Sequence, residues 1–376
     1  MVNQSKGRTA EELSETADGS DQLGPFWLFL FACIILVAVS MMFVSFPAGI
    51  YTVFATHLSN NYTASTQVHS LTYDLLFVQL NVPISATIGE VFLSFLAIYL
   101  LFIVLAASQG GGIVRALRAS VSDGYLYLFS NPLTAMTVLL GATSLATAIL
   151  DTLQVNSGIA TGGLTGDPFA LLVDITIAPL LEESLFRLIM IGVPVFLFVL
   201  LLRQSSLPRA IRVLWRPSAA WDVEEDDGVE TRHKFEDATM SLFPASSSSS
   251  PLSRALRPVV YVFMTVSSVI FGYVHFAGGA GWGPGKISEA ALAGLVFGYL
   301  YVKYGFHTSV LLHWSINYVG SIYSFLAQGV WGISWTSNTG SPLDYVPSVV
   351  IILLLGVPGL LLVANELLKK ATRPSV

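Results

Sequence analysis

Residues 178–187 read Ala178-Pro179-Leu180-Leu181-Glu182-Glu183-Ser184-Leu185-Phe186-Arg187. Two adjacent carboxylates and one guanidinium therefore lie inside an apolar run that is long enough to span a membrane. A charged side chain at the centre of a span costs about 2.5 to 3.5 kcal/mol on insertion scales, so such residues are normally paired or functional. This stretch predicts a membrane-spanning helix that carries a polar site.

The composition predicts a polytopic membrane protein. Of the 376 residues, 53% are hydrophobic and 11% are charged, whereas about a quarter are charged in a soluble domain. The net charge of −6 comes mainly from two acidic segments, 11–21 and 222–236, and no basic stripe suggests binding of nucleic acid. The single cysteine, Cys33, excludes an internal disulfide. We therefore expect the lipid bilayer as the main partner.

Apolar segments of spanning length predict an all-α fold, a polytopic transmembrane helix bundle of about eight spans. They lie at residues 25–47, 87–108, 130–150, 169–202, 258–277, 287–303, 306–328 and 345–367. With the N terminus inside, nearly all of the 18 Lys and Arg residues fall in cytoplasmic segments, which predicts that both termini are cytoplasmic.

Helical spacing separates the roles of the two adjacent glutamates. Glu183 and Arg187 are four residues apart and share a helix face, so we expect them to pair. Glu182 points about 100° round the helix and stays uncommitted.

Two further spans carry candidate residues four apart on one helix face, Phe271 with His275 and His313 with Asn317. Together with Glu182 they suffice for peptide hydrolysis. Glu182 could accept a proton from a water that His275 also holds. His313 and Asn317 could donate hydrogen bonds to the developing oxyanion.

The three runs 182–187, 271–275 and 313–317 resemble the three-motif pattern of the CPBP family. This family groups the type II CAAX prenyl endopeptidases with bacteriocin-processing and Abi-type membrane proteins. The resemblance implies an intramembrane endopeptidase that acts on a membrane-associated protein or peptide, of which a prenylated CAAX carboxyl terminus is the best-known example. It implies catalytic roles for Glu182, His275, His313 and Asn317, with structural support from Glu183, Arg187 and Phe271.

The metal requirement stays open at this point. A zinc centre needs three good protein ligands, and Glu182, His275 and His313 could supply them. The chain has no His-Glu-x-x-His motif, and Asn317 suits an oxyanion donor better than a metal ligand. We therefore favour a metal-free site with no cofactor, with zinc as the alternative.

The predicted organisation has four parts. Residues 1–24 form a cytoplasmic polar tail, 25–168 the first three spans, 169–328 the CPBP-like catalytic core, and 329–376 the last span and a cytoplasmic tail. Within the core, 203–257 has Arg-rich ends, an acidic middle and a serine run, which predict a disordered cytoplasmic insertion. This insertion departs from the family pattern but leaves the motif residues intact. A non-catalytic membrane scaffold or immunity-like protein that retains the polar motif is the alternative function. A proton-relay transporter is disfavoured, since no repeat relates the two halves.

Overall fold

The computed structural model describes residues 24–75, 78–163, 166–202, 206–221, 251–278, 281–333 and 346–372. The predicted N-terminal tail lies almost entirely outside this part of the chain. So does the acidic and serine-rich middle of the predicted insertion.

The described residues form a polytopic helical bundle, as predicted. Within the described ranges, six helices are long and apolar enough to cross a membrane: Phe26–Ala55, Ile88–Ser108, Pro132–Asn156, Pro168–Leu201, Leu256–Ala277 and Val346–Lys369. The other two predicted spans are also helical. The first, Lys286–Tyr304, carries charges at both ends, and the second is interrupted at Gly320 and Ser321.

We number the main elements in chain order. They are α1 (Pro25–Ala55), β1 (Gln67–Leu75), β2 (Val78–Thr87), α2 (Ile88–Ser108), α3 (Ile113–Ser122), α4 (Pro132–Asn156), α5 (Pro168–Glu183), α6 (Leu207–Trp215), α7 (Pro251–Ala277), α8 (Lys286–Tyr304), α9 (Phe306–Trp314), α10 (Ile322–Trp331) and α11 (Gly356–Thr372). Helix α5 continues through a π-helix at Ser184–Gly192 to Leu202, and α9 continues as a π-helix over Ser315–Val319.

A β-hairpin replaces most of the loop that was expected between the first two spans. Strands β1 and β2 pair antiparallel from Gln67 opposite Thr87 to Leu75 opposite Val78. The segment is rich in Val, Leu, Ile and Thr, which favour a pleated strand, and its apolar runs are too short to span a bilayer. Thr87 then caps α2, because its hydroxyl accepts from the Glu90 backbone N–H while the Glu90 carboxylate accepts from the Thr87 backbone N–H.

The structure corrects the expected disorder of 203–257 at both ends. Helix α6 and a 3₁₀ turn at Pro217–Ala220 follow the long span, and α7 begins at Pro251, seven residues before Pro258. Helix α6 is stable because its Ala210 and Val213 are fully buried against the core, whereas a nine-residue helix is marginal in isolation.

Helix α9 lies at the centre of the bundle. All of its residues from Phe306 to Trp314 are buried, and it contacts α2, α4, α5 and α8. Its polar residues His307, Thr308, Ser309 and His313 are buried together with its apolar ones. His313 is therefore held inside the protein, with an exposed fraction of 4% for its side chain.

Helices α7 and α8 approach each other closely through glycines. A Cβ atom on Gly272 would lie 2.2 Å from the Ile287 carbonyl oxygen, and one on Gly298 would lie 2.4 Å from Met264 Cγ. Small residues at a crossing allow this backbone approach. The contact fixes the end of α7 that carries His275.

Candidate functional site

Glu182, His275 and His313 meet although they come from three separate helices. Glu182 Oε2 lies 3.7 Å from His275 Nε2 and 3.7 Å from His313 Nε2. This oxygen is buried, and it has no hydrogen-bond partner within the described part of the chain. The exposed fraction is 31% for the Glu182 side chain and 21% for His275, so the site opens on the Glu182 side.

Glu183 lies on the buried side of the site, and its carboxylate accepts three hydrogen bonds. Arg187 Nε donates to Glu183 Oε2 (2.9 Å), His313 Nδ1 donates to Oε1 (3.1 Å), and the Ser309 hydroxyl also donates to Oε2. The expected ion pair between Glu183 and Arg187 is present, and both side chains are fully buried. A buried carboxylate persists only when it is paired and hydrogen-bonded in this way.

Arg187 is held by more than its ion pair. Its Nη1 donates to the Ser267 hydroxyl (3.0 Å), and its guanidinium lies 5.4 Å from the ring centroid of Phe271 and 5.9 Å from that of Phe297. Cation–π contacts of this kind are stronger when they are desolvated. Arg187 therefore ties α5 to both α7 and α8.

Both imidazole rings have fixed orientations. His275 Nδ1 donates to the Phe271 carbonyl oxygen (2.8 Å). The His313 ring stacks on Phe297 (4.6 Å between centroids, 17° between planes), and Phe271 lies edge-on to it at 5.7 Å. The Phe271 carbonyl and the Glu183 carboxylate can only accept, so each Nδ1 carries a proton. Each Nε2 is consequently left facing Glu182.

Asn317 lies one turn beyond His313, inside the π-helix Ser315–Val319. Its side chain is half-buried, and within the described ranges no hydrogen bond joins it to Glu182 or His275. π-Helical turns occur frequently at functional sites, and a second one begins at Ser184, directly after Glu183.

The sequence reasoning missed Ser267, Ser309 and Phe297, which hold the charged residues in place. The two serines had a detectable signal. Ser267 lies four residues before Phe271, and Ser309 lies four residues before His313, so each extends a polar stripe that had already been recognised. Phe297 had no such signal.

Glu182, His275 and His313 have the donor types that zinc prefers. Among the residues that the structure describes, no three His, Cys, Asp or Glu side chains are arranged to hold a metal ion together. The three acceptor atoms instead suit a small molecule that donates hydrogen bonds. A separation of 3.7 Å is too long for a direct hydrogen bond, and one water can contact both atoms of such a pair.

The comparison with known families assigns this region. Residues 165–319 match the family described as type II CAAX prenyl endopeptidase Rce1-like. This part of the chain resembles an Rce1-like domain. The Rce1-like match includes all three polar motifs and confirms the CPBP resemblance. The match supports a membrane protease of the CAAX type at the level of the family. No curated protein and no solved structure matches the chain.

Proposed function

We propose that this protein is an intramembrane endopeptidase in which Glu182 and His275 activate a water molecule. The observation that carries the proposal is the approach of one Glu182 oxygen to His275 Nε2 and His313 Nε2, at 3.7 Å each. Glu182 Oε2 and His275 Nε2 accept hydrogen bonds, and both Nδ1 atoms are engaged. A water that donates to Glu182 and His275 would direct a lone pair toward a substrate carbonyl.

Glu182 accounts for both proton transfers in the hydrolytic step. Glu182 takes one proton from the water as its oxygen bonds to the carbonyl carbon. Glu182 returns that proton to the leaving amine when the C–N bond breaks. General acid–base catalysis of this kind contributes about 10²- to 10⁴-fold in rate.

Asn317 and His313 are proposed to hold the oxyanion. The Asn317 amide has no hydrogen-bond partner in the described ranges, so its N–H groups are free to donate to a substrate. His313 Nδ1 already donates to Glu183. The ring can therefore donate through Nε2 only when it carries both protons. Glu183 thus acts on the reaction through His313 rather than on the substrate.

The substrate is proposed to be a membrane-associated protein or peptide, with a prenylated CAAX carboxyl terminus as the first candidate. The Rce1-like match supports this class. We further propose that both termini are cytoplasmic, a topology supported by the distribution of Lys and Arg.

A peptidase assay with purified full-length protein and a farnesylated CAAX peptide tests the proposal. Cleavage by the wild type, lost in Glu182→Ala and in His275→Ala, is the expected result. Undiminished cleavage by both variants would refute the assignment. We propose metal-free catalysis, so a strong chelator should leave the wild-type rate unchanged. A rate that falls with chelator and returns with Zn²⁺ would contradict that part alone.

A further inference from the structure

Helix α6 has apolar residues on both faces. Ala210 and Val213 are fully buried against the core, yet Leu207, Ile211 and Trp215 remain 55%, 51% and 38% exposed. These three residues follow one another at intervals of four, so they form a single stripe along the helix. The protein core does not cover this stripe.

The stripe lies at the end of the bundle where two spans terminate. Only residues 203–206 separate α6 from Leu202, the last residue of the long span, and four residues reach at most about 14 Å. The Trp215 ring lies 6.2 Å from Phe102 near the end of α2 and 5.5 Å from Phe306 at the start of α9. Helix α6 is therefore held against the bundle close to the ends of these spans.

Helix α3 follows α2 at this same end, and like α6 it has both buried and exposed apolar residues. Its Ala116 and Leu117 are buried, while Val114 is 68% exposed. Arg115 and Arg118 are exposed beside Val114. On α6, Arg212 is exposed beside the apolar stripe. Neither helix contains an acidic residue, so both combine exposed apolar side chains with positive charge.

We infer that α3 and α6 present an interfacial surface that binds the headgroups of anionic phospholipids. This surface consists of Val114, Arg118, Leu207, Ile211, Arg212 and Trp215. Amphipathic helices rich in Arg lie in the plane of the interface with their apolar side chains at the acyl boundary, and Trp is enriched at that level. Each arginine near an anionic surface strengthens binding by about fivefold. The inference does not depend on peptidase activity.

A lipid titration of the detergent-solubilised full-length protein tests the charge requirement. Fluorescent phosphatidylglycerol is compared with fluorescent phosphatidylcholine for the wild type, Arg118→Gln/Arg212→Gln and Arg118→Lys/Arg212→Lys. In the described ranges neither guanidinium has an ion-pair or hydrogen-bond partner, so the fold should tolerate both double variants. The wild type should prefer phosphatidylglycerol, the Gln pair should lose about fivefold in affinity for each removed charge, and the Lys pair should keep most of the preference.

Equal affinity of the wild type for the two lipids would overturn the inference, as would an unchanged preference in the Gln pair. Soluble glycerophosphate and an acidic peptide serve as competitors that lack acyl chains. Displacement of the lipid by either one at matched concentration would also overturn it.

Depth measurements in proteoliposomes test the apolar stripe separately. A nitroxide is placed by Ile211→Cys in a Cys33→Ala background, with Asn61→Cys, in the exposed loop before β1, as a water-exposed control. The Ile211 label should collide more with oxygen than with a polar nickel complex, and the Asn61 label should do the reverse. If both labels collided more with the nickel complex than with oxygen, an interfacial position for α6 would be refuted.

Discussion

The same substitution, Glu to Gln, at positions 182 and 183 should reveal that the two glutamates have different roles. Glu183→Gln should destabilise the protein strongly, whereas Glu182→Gln should leave stability unchanged and abolish cleavage. Both changes keep the shape of the side chain and remove one negative charge. Any difference between them therefore comes from the surroundings of each carboxylate.

The magnitude follows from the contacts. Glu183 accepts hydrogen bonds from Arg187, Ser309 and His313. The NH₂ group of a glutamine at this position is itself a donor, so at least one of these three donors would lose its acceptor. Removing one partner of a buried ion pair costs about 3–5 kcal/mol. The nearest histidine nitrogens lie 3.7 Å from Glu182, outside hydrogen-bond range, and partly exposed pairs contribute about 0–1 kcal/mol. The same Glu182→Gln change should lower kcat by about 10²- to 10⁴-fold.

Thermal unfolding in one detergent, with peptide cleavage measured on the same samples, gives both readouts. The unfolding midpoint should fall by several degrees only in Glu183→Gln. If Glu182→Gln lowered the midpoint as much, or cleaved at the wild-type rate, Glu182 would be a structural residue and the reasoning would fail.

Three further changes have expected outcomes. Ser309→Ala should destabilise by about 1.5–3 kcal/mol, because it removes a hydrogen bond to the buried Glu183 charge; denaturant unfolding measures this. Gly272→Ala should destabilise by about 1–3 kcal/mol, because its Cβ would lie 2.2 Å from the Ile287 carbonyl oxygen; the unfolding midpoint should fall. Asn317→Ala should lower kcat by about 10²- to 10³-fold with little change in KM, because it removes an oxyanion donor; steady-state kinetics give both constants.

Gly298→Ala is the matched control for Gly272→Ala. Its added Cβ would meet the flexible Met264 side chain at 2.4 Å, which can move, unlike a backbone carbonyl. Equal destabilisation by the two variants would contradict the packing argument.

A Ser309→Ala protein as stable as the wild type would contradict the account of Glu183, and an unchanged kcat in Asn317→Ala would remove that residue from the site.

Local spacing made much of the site predictable. The Glu183–Arg187 pair follows from a four-residue interval on one helix, and this pairing left Glu182 as the free carboxylate. The convergence of Glu182, His275 and His313 could be recognised only through the motif resemblance, because helix packing, not sequence distance, brings them together. Ser267 and Ser309 were missed because a hydroxyl in a membrane helix ordinarily bonds to the carbonyl of the preceding turn.

Helix α6 and the hairpin were missed for different reasons. The acidic and serine-rich residues that follow α6 dominated the composition of 203–257, whereas the helix depends on burial of Ala210 and Val213 in a fold that packs α6 on the preceding span and the following turn. The strands β1 and β2 lie between two spans, and a hydropathy profile detects the spans but not short strands between them. Composition over long windows therefore failed where a short element is stabilised by tertiary contacts.

The most direct test of the central claim is the mass of the cleaved product. A farnesylated CAAX peptide is incubated in H₂¹⁸O with wild-type protein and with Glu182→Gln, and the new carboxyl terminus is analysed by mass spectrometry. We predict one ¹⁸O atom at a single internal bond with the wild type and intact peptide with the variant. The same labelled product from Glu182→Gln at an equal rate would contradict a water activated by Glu182.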